Sequence, residues 1–256
     1  MKNNCLKNII NVVIWPILFI FGQFLINFIF SFVFSIFNSN LQTEELVLKS
    51  NDFLNNYKVL ITFFGFIIFI FLFIKKYKNL FDDKFKGNKD FIYIVLFGIG
   101  YSIIINLLFL NVNNIFNISD SQFLPVSNKE IIPLILCSGI MGPILEEFLF
   151  RGIVYNKIKT LTNEKKSIFI TSLFFGLVHM NLFNSINAFI LSYALIYVYN
   201  KYKTLIAPII LHMSVNTIVV LIINIISINL YNLNYLIFFM GMIFILIGSK
   251  KVFNNK

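Results

Sequence analysis

Ionisable side chains are scarce in this chain. Asp, Glu, Lys and Arg make up 12% of it, against about 25% in an ordinary soluble domain. Cysteine is nearly absent: Cys5 and Cys137 lie far apart and outside any C-x-x-C pattern, which excludes a disulfide framework and a zinc knuckle. Cys137 reads as a small apolar filler in a helix. No secretory signal is visible, because the first apolar block is too long for an h-region and has no small-residue cleavage site. It reads instead as a retained anchor, tilted or kinked at Pro16. Internal repeats are lacking as well, which argues against an inverted-repeat transporter. Histidine occurs only twice, at His179 and His212.

What fills the chain instead is apolar. Hydrophobic residues reach 58%, and phenylalanine alone accounts for 33 positions. They come in blocks rather than with helical or strand periodicity, which is how lipid-facing helices read. Candidate spans fall at 9–37, 59–74, 91–112, 131–156, 167–183, 184–199, 205–227 and 234–248, with Asn38–Tyr57 and Lys75–Asp90 as polar connections. The expected fold is all-α, a polytopic membrane helix bundle with about eight transmembrane helices. The whole of 1–256 reads as a single membrane domain. Its catalytic core lies within 131–227, and the flanking helices 1–112 and 234–248 act as scaffold.

The formal charge of +10 is distributed by side. Of the 21 basic residues, all but Lys49, Lys58 and Lys129 fall on alternate connections that include both chain ends. Cytoplasmic loops retain Lys and Arg, so both termini are expected in the cytoplasm of an integral membrane protein, as in a bacterial cell membrane. The positive charge is therefore topological, with attraction to anionic lipid as a secondary effect. No nucleic-acid partner is expected. Tyr193, Tyr197, Tyr199 and Tyr202 crowd the cytoplasmic end of the sixth span, as an interfacial aromatic belt would.

Chemistry-bearing residues concentrate between 142 and 216. A charged side chain at the bilayer centre costs roughly 2.5–3.5 kcal/mol, so membrane carboxylates mark function or tight pairing. Glu147 and Arg151 stand one turn apart on one face of the fourth span and can pair. Glu146 is rotated about 100° away and is left without that partner. Two adjacent carboxylates in different environments separate an ionised structural group from a working one. A helix–helix clamp would use both glutamates and the arginine structurally, and two glutamates against one arginine fit that reading less well. His179 lies in the fifth span; His212 and Asn216 share a face of the seventh. At ~1.5 Å rise per residue all of them can meet in the central-to-cytoplasmic half of the membrane.

Glu146-Glu147-x-x-x-Arg151, Phe175-x-x-x-His179 and His212-x-x-x-Asn216, in this order on membrane helices, resemble the CPBP family. These are the CAAX-protease and bacteriocin-processing proteins, also called Abi-type or type II CAAX prenyl endopeptidase-like. The resemblance covers 142–216 by motif and the rest by hydropathy. It implies an intramembrane endopeptidase acting on membrane-associated peptides or proteins near the cytoplasmic leaflet. Glu146 would be the general base, and His179 would help hold and polarise the attacking water. His212 and Asn216 would face the oxyanion, while Glu147 and Arg151 would organise the site. Peptide hydrolysis needs such a base and such donors.

The family is also labelled metalloprotease, and Glu146, His179 and His212 could form an open three-ligand zinc site. No His-Glu-x-x-His is present, and the reading leans to a metal-free water activated by glutamate and histidine. Two rival classes stay open. One is a non-enzymatic bacteriocin-immunity or scaffold protein. The other is a proton-coupled transporter, since intramembrane Glu and His also build proton relays.

Overall fold

A computed structural model describes residues 2–77, 90–116, 128–179, 181–226 and 231–253. Most of the basic connection Lys75–Asp90, with Lys78, Lys84, Lys86 and Lys89, lies outside the described residues, as does Lys256. Regular structure among the described residues is entirely helical. Helices satisfy most of their backbone N–H and C=O groups within the segment, which is what a lipid environment demands.

The helices are α1 (Lys2–Phe37), α2 (Thr43–Tyr77), α3 (Phe91–Phe116), α4 (128–161), α5 (Glu164–Leu177), α6 (Leu182–Tyr202), α7 (Ile206–Ile226) and α8 (Tyr231–Val252). Each of the eight expected segments is therefore a helix, but they are not eight equal spans. Among the described residues five helices are long and apolar enough to cross a membrane, or six if the bent pair Thr43–Leu54 and Val59–Phe69, at 67°, counts as one. The chain is an integral membrane protein. α5 has only 14 residues, about 21 Å at 1.5 Å per residue, against a hydrocarbon core of about 30 Å. The apolar part of α7, Ile206–Ile222, is also shorter than a full span.

Two connections differ from expectation for local reasons. The polar stretch after α1 is short, because α2 already starts at Thr43 with Glu44 and Glu45 in its first turn. Acidic residues there suit the positive end of the helix dipole, and Lys49 pairs with Glu45 at 2.8 Å one turn on. The expected 167–183 helix stops early. Asn181 adopts extended backbone and its side chain accepts the N–H of Asn184 at 3.1 Å, opening a new helix. His179 consequently sits in the turn after α5, not within a helix.

By backbone proximity the chain divides into two compact units, Met1–Lys78 and Asn79–Lys256, where the sequence reads as a single domain. In the first unit α1 and α2 form an antiparallel pair. Ser31 and Ser50 hydroxyls meet at 2.8 Å, and the rings of Phe34 and Phe53 stack at 4.8 Å. Phe21, Phe24, Phe28 and Phe32 are exposed along α1, the surface expected of a helix solvated by lipid.

The second unit holds every candidate site residue. Its helices approach closely through small residues, as membrane helices do where van der Waals contact drives packing. A Cβ on Gly100 of α3 would lie 2.6 Å from the Gly241 carbonyl and 2.7 Å from the Ile245 nitrogen of α8. Both obstacles are backbone, so they can give way only if the helices separate. Gly100→Ala is expected to cost about 1–3 kcal/mol by overpacking, read as a lower unfolding midpoint in detergent micelles. The Ser102 hydroxyl of α3 donates to the Val215 carbonyl of α7 at 3.0 Å, and the Tyr101 hydroxyl donates to Asn187 Oδ1 of α6 at 2.8 Å. The belt expected of the α6 tyrosines turns partly inward. Tyr199 accepts from Asn156, Tyr197 donates to the Phe253 carbonyl, and Tyr202 donates to Asp90.

α4 is continuous but not uniform. Residues Ile135–Met141 and Phe148–Tyr155 are π-helical, and every junction between segments keeps right-handed helical angles. Pro143 accounts for the first widening. It has no N–H to offer the Gly139 carbonyl, and the N–H of Gly142 bonds back to the Cys137 carbonyl five residues away.

Candidate active site

Glu147 is the hinge of the arrangement. Its Oε1 accepts from Arg151 Nη1 at 2.8 Å, one turn along α4, and from His212 Nδ1 at 2.7 Å across to α7. Glu147 and Arg151 are completely buried and His212 is 2% exposed. Charges this deep persist only when paired and hydrogen-bonded. The second arm of the guanidinium reaches α6, with Arg151 Nη2 donating to Ser192 Oγ at 2.8 Å. Three helices are thus tied through one carboxylate and one guanidinium.

Phe175 of α5 completes the enclosure. The Arg151 guanidinium lies over its ring at 4.5 Å. His179 and His212 meet the same ring edge-on, at 5.1 and 5.7 Å, and Phe150 packs on it at 4.9 Å. A face toward the cation and edge contacts with the other rings suit the aromatic quadrupole. Phe175 therefore sets both histidines around one ring.

These contacts fix the imidazole tautomers. A carbonyl oxygen only accepts, so His179 Nδ1, 2.7 Å from the Phe175 carbonyl, carries the hydrogen. Its Nε2 is left for other chemistry. By the same logic His212 donates from Nδ1 to the ion-paired Glu147. Its Nε2 then faces Glu146 Oε2 at 3.8 Å.

That separation is an ion-pair distance but too long for a hydrogen bond, and Glu146 Oε2 has no hydrogen-bond partner in the protein. Oε2 itself is buried, so a water oxygen bridging the two atoms, about 2.8 Å from each, enters only when the two side chains part. Glu146 differs from Glu147 in access as well: its side chain is 20% exposed and that of Glu147 is fully buried. Of the two carboxylates, Glu146 is the one a solvent molecule or a substrate can reach.

Asn216 stands one turn from His212 on α7. Its amide donates to the Ser138 carbonyl at 3.0 Å, inside the first π-helical stretch of α4. One of its two N–H groups is thereby used to fasten α7 to α4, and the other remains available.

Among the described residues, no group of three or more His, Cys, Asp or Glu side chains is disposed to hold a metal ion. His212 Nε2 and Glu146 Oε2 form a pair, while the His179 ring is fastened at Nδ1 to the Phe175 carbonyl at the end of α5. Fastening at Nδ1 leaves Nε2 of each ring free, which is also how a metal-ligating imidazole is held.

Two contributors escape a motif search. Ser192 is an isolated hydroxyl in the apolar α6, and the Ser138 carbonyl is a backbone atom exposed by a helical irregularity. Ser192 had a signal, being a small polar residue in the middle of a span. Ser192→Ala leaves one arm of a buried guanidinium short of its hydroxyl partner. The expected cost is about 1–3 kcal/mol, measured as a shift in the urea midpoint of the purified chain.

Comparison with known proteins points to the same segment. Residues 128–218 match the family model described as Type II CAAX prenyl endopeptidase Rce1-like. Over 93 residues the chain is 34% identical to a Bacillus subtilis (strain 168) protein named "Putative membrane peptidase YdiL", covering 36% of this chain and 38% of that one. It is 38% identical over 87 residues to "UPF0177 protein YxdF" of Lactococcus lactis subsp. lactis (strain IL1403), covering 32% of this chain and 48% of that one. The matches thus span less than half the length of these relatives. No solved structure matches the chain. The resemblance carried by the three motifs is the one these matches show, and all six candidate residues lie inside the matched segment.

Proposed function

We propose that this chain is an intramembrane endopeptidase that hydrolyses peptide bonds of membrane-associated substrates with a water activated by Glu146. The observation that carries this reading is the buried relay from Ser192 through Arg151 and Glu147 to His212, which aims His212 Nε2 at Oε2 of the partly exposed Glu146. A purely structural clamp would pair both carboxylates with donors, and here the guanidinium of Arg151 and Nδ1 of His212 both go to Glu147 Oε1.

The steps follow from the atoms present. A water between Glu146 and the histidines gives a proton to Glu146 while its oxygen attacks the scissile carbonyl carbon. The carbonyl π electrons move to oxygen, and the oxyanion meets His212 Nε2 and the remaining N–H of Asn216. Donation from Nε2 while Nδ1 stays with Glu147 requires the imidazolium form of His212 in this step, and the carboxylates of Glu146 and Glu147 against the single Arg151 guanidinium would balance its charge. Collapse of the intermediate breaks the C–N bond, and Glu146 passes its proton to the departing amine. His179 Nε2, free because Nδ1 is fixed to the Phe175 carbonyl, orients the water.

The proposal places both termini and the basic connections on the cytoplasmic side, with the substrate entering from the bilayer. It includes no metal. The purified chain should keep its activity in excess chelator, and loss on chelation with recovery on added zinc would overturn that part. The reading as a whole is tested by comparing small membrane-associated peptides, by mass spectrometry, in cells carrying wild type or Glu146→Ala. A peptide set that depends on Glu146, His179 and His212 supports it. Identical sets for wild type, Glu146→Ala, His179→Ala and His212→Ala would sink it and favour an immunity or scaffold role.

A further inference from the structure

A pocket of about 840 Å³ opens where α5, α6 and the end of α8 meet, and none of the six candidate site residues lines it. Its volume lies in the range of roughly 300–1,000 Å³ typical of small-molecule sites. Ile168, Tyr193, Tyr197 and Phe253 supply apolar and aromatic lining, and Glu164, Lys201 and Lys203 supply its charges, with Lys201 Nζ already donating to the carbonyls of Lys251 and Val252.

Position and charge narrow the occupant. α6 crosses the membrane as Leu182–Tyr202, so Tyr193 lies within the apolar stretch and Lys203 directly beyond its end. Ten residues of helix between them span ~15 Å. The pocket therefore straddles the boundary between hydrocarbon and headgroups.

The acidic groups nearby already have partners. Glu164 lies 3.6 Å from Lys159 and accepts from Asn200 at 3.2 Å. Asp90 lies 3.8 Å from Lys251 and accepts from Tyr202 at 3.0 Å. Lys203 adds its charge from an exposed position, held there by a left-handed φ of 54° that closes α6. The result is an apolar-walled pocket with a net positive rim at the depth of lipid phosphates.

We propose that this pocket binds an anionic phospholipid, with the phosphate at Lys203 and the glycerol and first acyl carbons against Tyr193 and Ile168. Basic pockets between membrane helices recognise headgroups in this way. The inference is independent of the endopeptidase reading, since no residue of the proposed relay takes part.

The test uses the full chain in detergent micelles, titrated with phosphatidylglycerol and phosphatidylcholine and followed by native mass spectrometry. Phosphatidylglycerol is expected to bind at least about tenfold tighter. Lys203→Asn keeps a residue tolerant of the left-handed backbone and removes the charge. It should weaken phosphatidylglycerol about fivefold, the effect of one lysine near a lipid surface, and leave phosphatidylcholine unchanged. Ala194→Trp fills the pocket without changing charge and should displace phosphatidylglycerol, provided its melting temperature matches wild type; if it does not, Lys203→Asn decides alone. Equal retention of the two lipids, or no effect of Lys203→Asn, overturns the proposal. Competition by inorganic phosphate at concentrations matching the lipid overturns it too, because the site would then bind a soluble anion.

Discussion

Arg151→Met is expected to destabilise the chain by about 3–5 kcal/mol, the cost of leaving a buried charge without its partner. Glu147 is fully buried and its Oε1 receives Arg151 Nη1 at 2.8 Å. Without the guanidinium, the carboxylate keeps only His212, and the Phe175 ring loses the cation at its face. The measurement is equilibrium unfolding of purified chain in mixed micelles. The double variant Glu147→Met/Arg151→Met separates the two contributions. It removes both charges at similar volume and should recover most of the loss, since a buried ion pair exchanged for apolar residues is often near neutral. Arg151→Lys should recover little. An ammonium cannot bridge Glu147 on α4 and Ser192 on α6 while lying flat on an aromatic ring.

Glu146→Gln should separate activity from stability in the opposite sense. The substitution keeps the shape of the side chain, which is partly exposed and donates and accepts no hydrogen bond at Oε2. The stability is expected to fall by no more than about 1 kcal/mol, since Glu146 gives up an ion pair with His212 but no hydrogen bond at Oε2. Hydrolysis of an identified substrate should fall by about 10²–10⁴, the usual contribution of a positioned general base. Glu147→Gln gives the contrasting signature, a loss of stability together with a loss of rate, because it removes the charge that Arg151 and His212 share. If Glu146→Gln cleaved substrate at the wild-type rate while Glu147→Gln did not, the roles of the two carboxylates would have to be exchanged.

Much of this division was legible from spacing alone. A spacing of four positions puts Glu147 and Arg151 on one helical face and leaves Glu146 off it, so the pair and the spare carboxylate follow from helix geometry. Hydropathy marked all eight helices because lipid leaves long apolar blocks in a sequence. The features that escaped have no local signal. The end of α5 is set by Asn181 capping the next helix, and one asparagine among the many in this chain does not announce a cap. His179 accordingly lies in a turn. The π-helical stretches depend on where a missing N–H falls in a packed helix, and periodicity shows that poorly. Ser192 becomes meaningful only when α6 brings it to Arg151, and Asn216 is partly spent on a carbonyl that an ordinary α-turn would have kept.

The widened turn before Pro143 also has a meaning in chain length. A π-helical stretch carries an extra residue without forming a loop, so α4 holds a spare position between the part fastened to α7 at Ser138 and the part bearing Glu146 and Glu147. Deleting one residue there, such as Ile140, lets the backbone return to an ordinary α-turn with the parts on either side still facing as before, because one extra residue is what the widened turn absorbs. The same deletion in an ordinary stretch of α-helix would rotate everything beyond by about 100°. Glu146 and Glu147 therefore keep their facing to His212, and what the deletion takes away is the free Ser138 carbonyl that Asn216 uses. The widened turn is thus a fastening point that the helix could lose without turning the proposed chemistry away from its partners.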